Sequence, residues 1–370
     1  MTIIVLIILA GISISLVIGN NGIMQKAAKS REDYKVAAIN EQLDLNKIED
    51  YIEDNTGNVV PIESAKGGSY FGEPTTVKDT NGNLIKVPKG FKIAADSGLN
   101  VTEGIVIEDN DIKEGIGNNR GNQYVWVPVG NGIKKSVRHR GLQYVWVPVG
   151  NGIKKNDGTE VNITLGRYTF ADGTNDKDAN GNVLAKGTPM LRQDAANYTQ
   201  EVEITYYHQN YKELAISRVG AVDSSNRRND TNTTALNLKG FVDSVKANGG
   251  YYIARYEASY GTDGKANSKV SNSYSGSNVE GKLWNYITQI NAATASRNLY
   301  TGVNSDLINS YAWDTAIVYI QNFSGATEYS RQSSSNTGSP TNTGTNGDEK
   351  CKINDMSSNM MEWTTEYSNN

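Results

Sequence analysis

Asp355 and Glu362 lie within Asp355-Met-Ser-Ser-Asn-Met-Met-Glu-Trp363, close enough to serve one site. A carboxyl pair can exchange protons with a substrate or hold a hard cation. With no partner nucleophile assigned to them, a structural role as metal ligands is the preferred reading. Cys351 is the single cysteine of the chain, so no intramolecular disulfide and no multi-cysteine metal site can form within it. It has no neighbouring histidine and follows Glu349 and Lys350, so it reads as an unreactive surface residue. His139, between Arg138 and Arg140, reads as solvated, and His208, among Tyr206, Tyr207 and Tyr211, as a polar strand end. Two histidines cannot build a three-histidine centre, and no copper or iron site is identifiable. No residue is assigned a catalytic role.

These residues must be positioned by a polar but foldable chain of 370 residues, 37% of them hydrophobic, with a mean hydropathy of −0.52. That length allows one large domain or two ordinary ones. The 37 Gly, and 21 Tyr against 5 Phe, point to many turns and to aromatics kept near water. A net charge of −4 gives no basic stripe, so nucleic acid is not an expected partner.

No charged residue occurs from Met1 to Gln25, and Ile3 to Ile18 is almost unbroken Ile, Leu, Val, Ala and Ser. Roughly 20 such residues cross a bilayer as a helix. No basic region precedes the run and no small-residue cleavage site follows it, which favours an anchor over a cleaved signal. Gly22 to Asp54 continues as an amphipathic helix through Ala27, Tyr34, Ala38, Leu43, Ile48 and Ile52. Residues 1–54 resemble the transmembrane and stalk helix of type IV pilin-like proteins. The basic leader and processing site of those proteins have no counterpart, so Met1 is expected to be an internal methionine. Lys26, Lys29, Arg31 and Lys35 follow the helix, and the positive-inside rule alone would keep the remainder in the cytoplasm. The secretory character of the downstream chain, together with the pilin resemblance, places it outside the cell.

Residues 55–80 lack sustained periodicity and read as a linker. Beyond them, Asn81-Gly82-Asn83, Asp157-Gly158-Thr159 and Asn180-Gly181-Asn182 are turn signals. Strands are expected at Leu84 to Val87, Gly104 to Ile107, Glu201 to Tyr207 and Gly250 to Tyr256. Helices are expected at Leu236 to Ala247, Gly281 to Leu299 and Tyr311 to Phe323. Thr262 to Val279 and Arg331 to Asp348 are rich in Ser, Thr, Asn and Gly and read as long loops. The pattern is α+β. Gln123-Tyr-Val-Trp-Val-Pro-Val-Gly-Asn-Gly-Ile-Lys-Lys135 recurs unchanged at Gln143 to Lys155. Stacked repeat folds need three or more units, so this is a tandem duplication, expected to leave one copy as a core strand and the other as a surplus hairpin or loop. The proline suggests a strand end in either copy.

Four segments occur in a family's order: Val125-Trp-Val-Pro-Val-Gly with its copy, Gly250-Tyr-Tyr-Ile-Ala-Arg-Tyr-Glu257, Trp313-Asp-Thr-Ala316 with Tyr319, and Asp355 to Trp363. Together they resemble the formylglycine-generating enzyme family, or sulfatase-modifying-factor domains. The resemblance spans residues 81–370 and implies an elaborated C-type-lectin-like fold, here expected to be truncated at its C-terminus. Ser358 and Met361 stand where the family has glycine and tryptophan. The family's catalytic cysteines lie beyond its Trp-Glu-Trp segment and have no counterpart here. The resemblance further implies structural calcium, with Asp355 and Glu362 giving side-chain oxygens and Ser358 and Met360 backbone carbonyls.

The expectation is a single-pass membrane protein, anchored through residues 1–18, with a non-catalytic lectin-like domain on the cell surface. That domain would bind an unidentified glycan, protein or peptide and join a pilus-type assembly. A formylglycine-generating-type oxidase with its cysteines on a further C-terminal piece, and a structural pilin-like subunit, are the alternatives.

Overall fold

The computed structural model describes residues 59–109, 124–126, 142–197, 203–206, 209–212, 221–222, 228–229, 238–260, 266–267, 282–284, 287, 289–300, 303–332, 334–335, 341–345, 347–360, 362–365 and 367–368. The expected transmembrane and stalk helix at 1–54 lies outside them. Among the described residues no helix is long and apolar enough to cross a membrane.

Strand formation begins at Val59, inside the stretch read as a linker. β1 (Val59–Pro61) pairs in parallel with β2 (Thr75–Lys78), which pairs antiparallel with β3 (Leu84–Val87). Ile62 and Val77 are fully buried there. The glycines and hydroxyl residues between them hid this pattern, so the folded part starts before Asn81. The β2–β3 turn is held by Asp79, whose Oδ1 accepts the backbone N–H groups of Asn81 and Asn83 at 2.9 and 2.8 Å. Asp178 accepts from Asn180 and Asn182 in the same way. Both Asn-Gly-Asn signals are therefore turns closed by the preceding aspartate.

The central sheet comprises β4 (Phe91–Ile93), β5 (Val106–Asp109), β6 (Tyr124–Trp126), β7 (Gln143–Pro148) and two later strands. β8 (Gly150–Lys154) and β9 (Glu160–Ile163) form a hairpin, as do β10 (Gly166–Phe170) and β11 (Pro189–Asp194). The later central strands are β12 (Gly250–Ala254) and β13 (Asn304–Asp306), and the spatial order is β13-β6-β12-β7-β5-β4. β7 and β12 are buried on both faces, which explains their unalternated apolar runs. Trp146 meets Tyr252 edge to face at 4.9 Å between ring centroids. A Cβ on Gly250 would lie 2.5 Å from the Trp146 ring, so only glycine permits this approach.

Three helices cover the sheet: α1 (Leu238–Asn248), α2 (Gln289–Arg297) and α3 (Ser310–Phe323). α3 starts where the Asn309 side chain accepts the Ala312 N–H at 2.9 Å. Its buried residues recur as Tyr311, Thr315, Tyr319 and Phe323 beside Ala312, Ala316 and Ile320, the spacing of a helix face. The Tyr319 hydroxyl donates to the Val101 carbonyl at 2.6 Å and that of Tyr311 to Gln193 at 2.7 Å. The tyrosines thus fill the core and reach polar partners within it. The architecture is α+β, built mostly from small antiparallel sheets.

Both copies of the duplicated segment form strands. β6 runs parallel to β12 on one side, and β7 runs antiparallel to it on the other. The expectation of one core strand and one surplus loop is corrected, because β12 has two open edges and takes a copy on each. Pro148 ends β7, as its missing N–H requires.

Candidate functional site

β12 delivers Arg255, Tyr256 and Glu257 toward the loop that carries Asp355 and Ser358. Asn354 anchors this loop by donating its backbone N–H and its Nδ2 to the Arg255 carbonyl at 3.0 and 3.1 Å. The turn before it is tight: Lys350 and Ile353 exchange backbone hydrogen bonds at 2.9 and 2.8 Å. Cys351, Lys352, Asp355 and Asn359 all have positive φ, between 49° and 66°. Four non-glycine residues in the left-handed region mark a loop held by its surroundings.

Those surroundings are carboxylates and amides. The Asp355 side chain is fully buried and accepts the Gly344 N–H at 2.6 Å. Asp348 accepts the Asp355 N–H at 3.0 Å and the Ser358 hydroxyl at 2.8 Å. Glu257, only 3% exposed, accepts the Met360 N–H at 2.8 Å on one oxygen and Asn359 Nδ2 at 2.5 Å on the other. Asn359 in turn accepts the Thr341 N–H at 2.8 Å, which fixes its orientation. Glu362 is half-buried next to this group.

Burial raises the Glu257 carboxyl well above the ordinary carboxylate range, and the Asp355 and Asp348 charges push the same way. Hydrogen bonds from Met360 and Asn359 oppose the rise without cancelling it. Glu362 is also raised, first by burial and then by Glu257, Asp355 and Asp348. Arg255, two residues earlier, is engaged elsewhere. Arg255 reaches Asp96 at 2.5 Å, Gln143 at 2.8 Å and Glu349 at 3.6 Å. Glu257 is held instead by an amide and a backbone N–H.

Of the residues expected to bind calcium, Asp355 and Ser358 sit together, with Ser358 N–H to the Asp355 carbonyl at 3.3 Å. Met360 joins them through its N–H to Glu257, and Glu362 through the mutual repulsion of the carboxyls. Sequence reasoning missed two members. Glu257 carried a signal, since it follows a buried strand by three residues. Asp348 carried none, being the last residue of a polar stretch read as a loop. Among the described residues no three His, Cys, Asp or Glu side chains form a metal-holding group. The expected set takes only two side chains and two carbonyls. Glu257 and Asp355 are buried and Asp348 and Glu362 half-buried, and Glu257 and Glu362 are held above the ordinary carboxylate range by burial and by the neighbouring charges.

Past the knot, the Trp363 Nε1–H donates to the Ile287 carbonyl at 2.8 Å and the Thr365 N–H to the Ile308 carbonyl at 2.9 Å. Trp363 keeps 46% of its surface exposed, whereas Trp146 and Trp284 are buried. Cys351 is buried, and burial pushes its thiol up to about 12, so the surface assignment is corrected. Its carbonyl packs onto Gly104, where a Cβ would come within 2.0 Å. His139 and His208 lie outside the described residues. No family model, curated protein or solved structure matches the chain.

Proposed function

We propose that this chain is a membrane-anchored surface protein whose C-terminal domain, lectin-like in fold, displays a binding surface rather than performing catalysis. The observation that carries the reading is the convergence of buried Glu257 and Asp355 with half-buried Asp348 and Glu362 in one knot directly before an exposed, pinned tryptophan. Asp355 and Glu362, with the carbonyls of Ser358 and Met360, would hold a calcium ion. Bound there, calcium would neutralise carboxyl repulsion and stiffen the loop; the protein supplies the preset backbone. Trp363 offers a flat apolar face with its N–H already satisfied, which suits stacking against a sugar ring or an apolar side chain. The apolar segment Ile3 to Ile18 supports the anchor, and the pilin-like resemblance supports assembly on the cell surface.

The test is thermal unfolding of the full chain in detergent, with calcium and with chelator. Calcium should raise the melting temperature of the wild type but not of Asp355→Ala or Glu362→Ala. Trp363→Ala should keep the calcium response. Superimposable wild-type curves with calcium and chelator would sink the proposal.

A further inference from the structure

Asn162-Ile-Thr164 on the β8–β9 hairpin is an Asn-x-Ser/Thr acceptor sequence, and we infer that Asn162 is a glycan attachment site whose side-chain nitrogen takes an oligosaccharide from a lipid-linked donor. The inference rests on the reading that this domain lies outside the cell.

The tripeptide alone does not single out Asn162. The same pattern begins at Asn100, Asn197, Asn229, Asn232 and Asn322. Asn197, Asn229 and Asn232 lie outside the described side chains. Asn100 is only 4% exposed, and its Nδ2 donates to Glu103 at 3.1 Å and to the Thr80 hydroxyl at 3.3 Å. Asn322 is half-buried on α3, and its Nδ2 donates to the Val318 carbonyl at 2.8 Å. Both nitrogens are engaged within the fold.

Asn162 differs in burial and in the atom it uses. Along β9, Glu160 is exposed, Val161 half-buried, Asn162 exposed and Ile163 buried, the alternation of a strand with one face in water. The Asn162 Oδ1 accepts the Gly152 N–H at 2.9 Å across the hairpin. Attachment at Nδ2 leaves that oxygen and its bond in place, and Gly152 brings no side chain to the space beside it. Thr164 supplies the hydroxyl of the acceptor sequence, while the fold uses its carbonyl, which accepts the Tyr168 hydroxyl at 2.8 Å.

The hairpin also suits access by a transferase. β8 and β9 make a sheet of two strands only, and such a pair is marginal until it packs on something else. Here it is tied down by Asn83, whose side chain accepts the Lys154 N–H at 2.9 Å and donates to the Lys154 carbonyl at 3.0 Å. Transfer precedes that docking, and the folded hairpin then carries the glycan on its wet face. In the step itself, Nδ2 bonds to C1 of the first sugar as the C1–O bond to the donor breaks. The lipid pyrophosphate leaves, and one amide proton passes to a base of the transferase.

The test uses the full chain from its own cells, labelled at the cell surface with an impermeant biotin reagent and digested with trypsin. The peptide from Asn156 to Arg167 contains Asn162 and no other acceptor sequence. Mass spectrometry should find it heavier by whole sugar residues, with fragmentation placing them on Asn162. The increment should vanish in Asn162→Gln and Thr164→Ala and persist in Thr164→Ser, which keeps the hydroxyl. Biotin-labelled protein with an unmodified Asn162 peptide overturns the inference and leaves the surface reading standing. Protein that takes no label and carries no sugar overturns both. An increment that survives Asn162→Gln also overturns the inference, because the sugar then sits on another residue.

Discussion

Replacing Glu257 with glutamine isolates one buried carboxyl without changing its shape. In the absence of calcium, Glu257 and Glu362 bind protons more tightly in the folded chain than in the unfolded one, where the ordinary value is 4.5. Groups raised in this way contribute stability that is complete below that value and is lost as pH rises through the raised one. Each proton held in excess by the folded state tilts stability downward by at most about 1.4 kcal/mol per pH unit. Below the raised value the protonated acid and the amide are near-isosteres, and they should differ by no more than about 1 kcal/mol, one neutral hydrogen bond. Once pH has passed the raised value the wild type carries a crowded carboxylate and the variant does not, so Glu257→Gln should lead by about 1–3 kcal/mol. Asp96 and Asp178 are lowered and do not interfere, since their contributions fade only on acidification below the ordinary 3.8. Urea unfolding from pH 5 to 8 in chelator gives the two profiles. Parallel profiles would refute the idea that Glu257 holds an extra proton in the fold.

Gly104→Ala drives a Cβ to 2.0 Å from the Cys351 carbonyl at a φ of 93°, and urea unfolding should show a loss of about 2–4 kcal/mol. Gly82→Ala, also at positive φ but with open space around it, should cost about 1 kcal/mol and serves as the comparison. Cys351 should resist iodoacetamide at pH 8 in the folded protein and react once the chain is unfolded, as mass spectrometry can show. Deleting residues 136–155 leaves one copy for two positions beside β12, so the melting temperature should fall by a few degrees; a gain would show that one copy is surplus.

Regular elements were legible where one physical cause dominated. The apolar periodicity of Tyr311 to Phe323 gave α3 within a residue, and Gly250 to Tyr256 gave β12 with its last two residues outside the strand. Gly281 to Leu299 was too long by one end, since helix α2 starts only at Gln289. The strands at Val59 and Thr75 were hidden because the glycine and hydroxyl residues around them outvoted two apolar pairs. The two copies were indistinguishable by sequence, and only the pairing of β12 on both edges revealed that each is used. At the site, Asp355, Ser358, Met360 and Glu362 were legible as one contiguous motif. Asp348 was not, because it is brought in by the left-handed turn at Cys351 and Lys352, which no local propensity announces. Trp363 has its indole N–H satisfied at the rim by the Ile287 carbonyl, which leaves the ring outside.

The carboxyl knot is tested most directly by calorimetric titration of the full chain with calcium at several pH values from 5 to 8, each in two buffers of different ionisation heat. Below the raised values calcium must displace protons to enter the site, so there the apparent enthalpy should differ between buffers and report proton release. Asp355→Ala should abolish both the heat and the release. Binding heat identical in the two buffers, or no heat at all, would contradict the account.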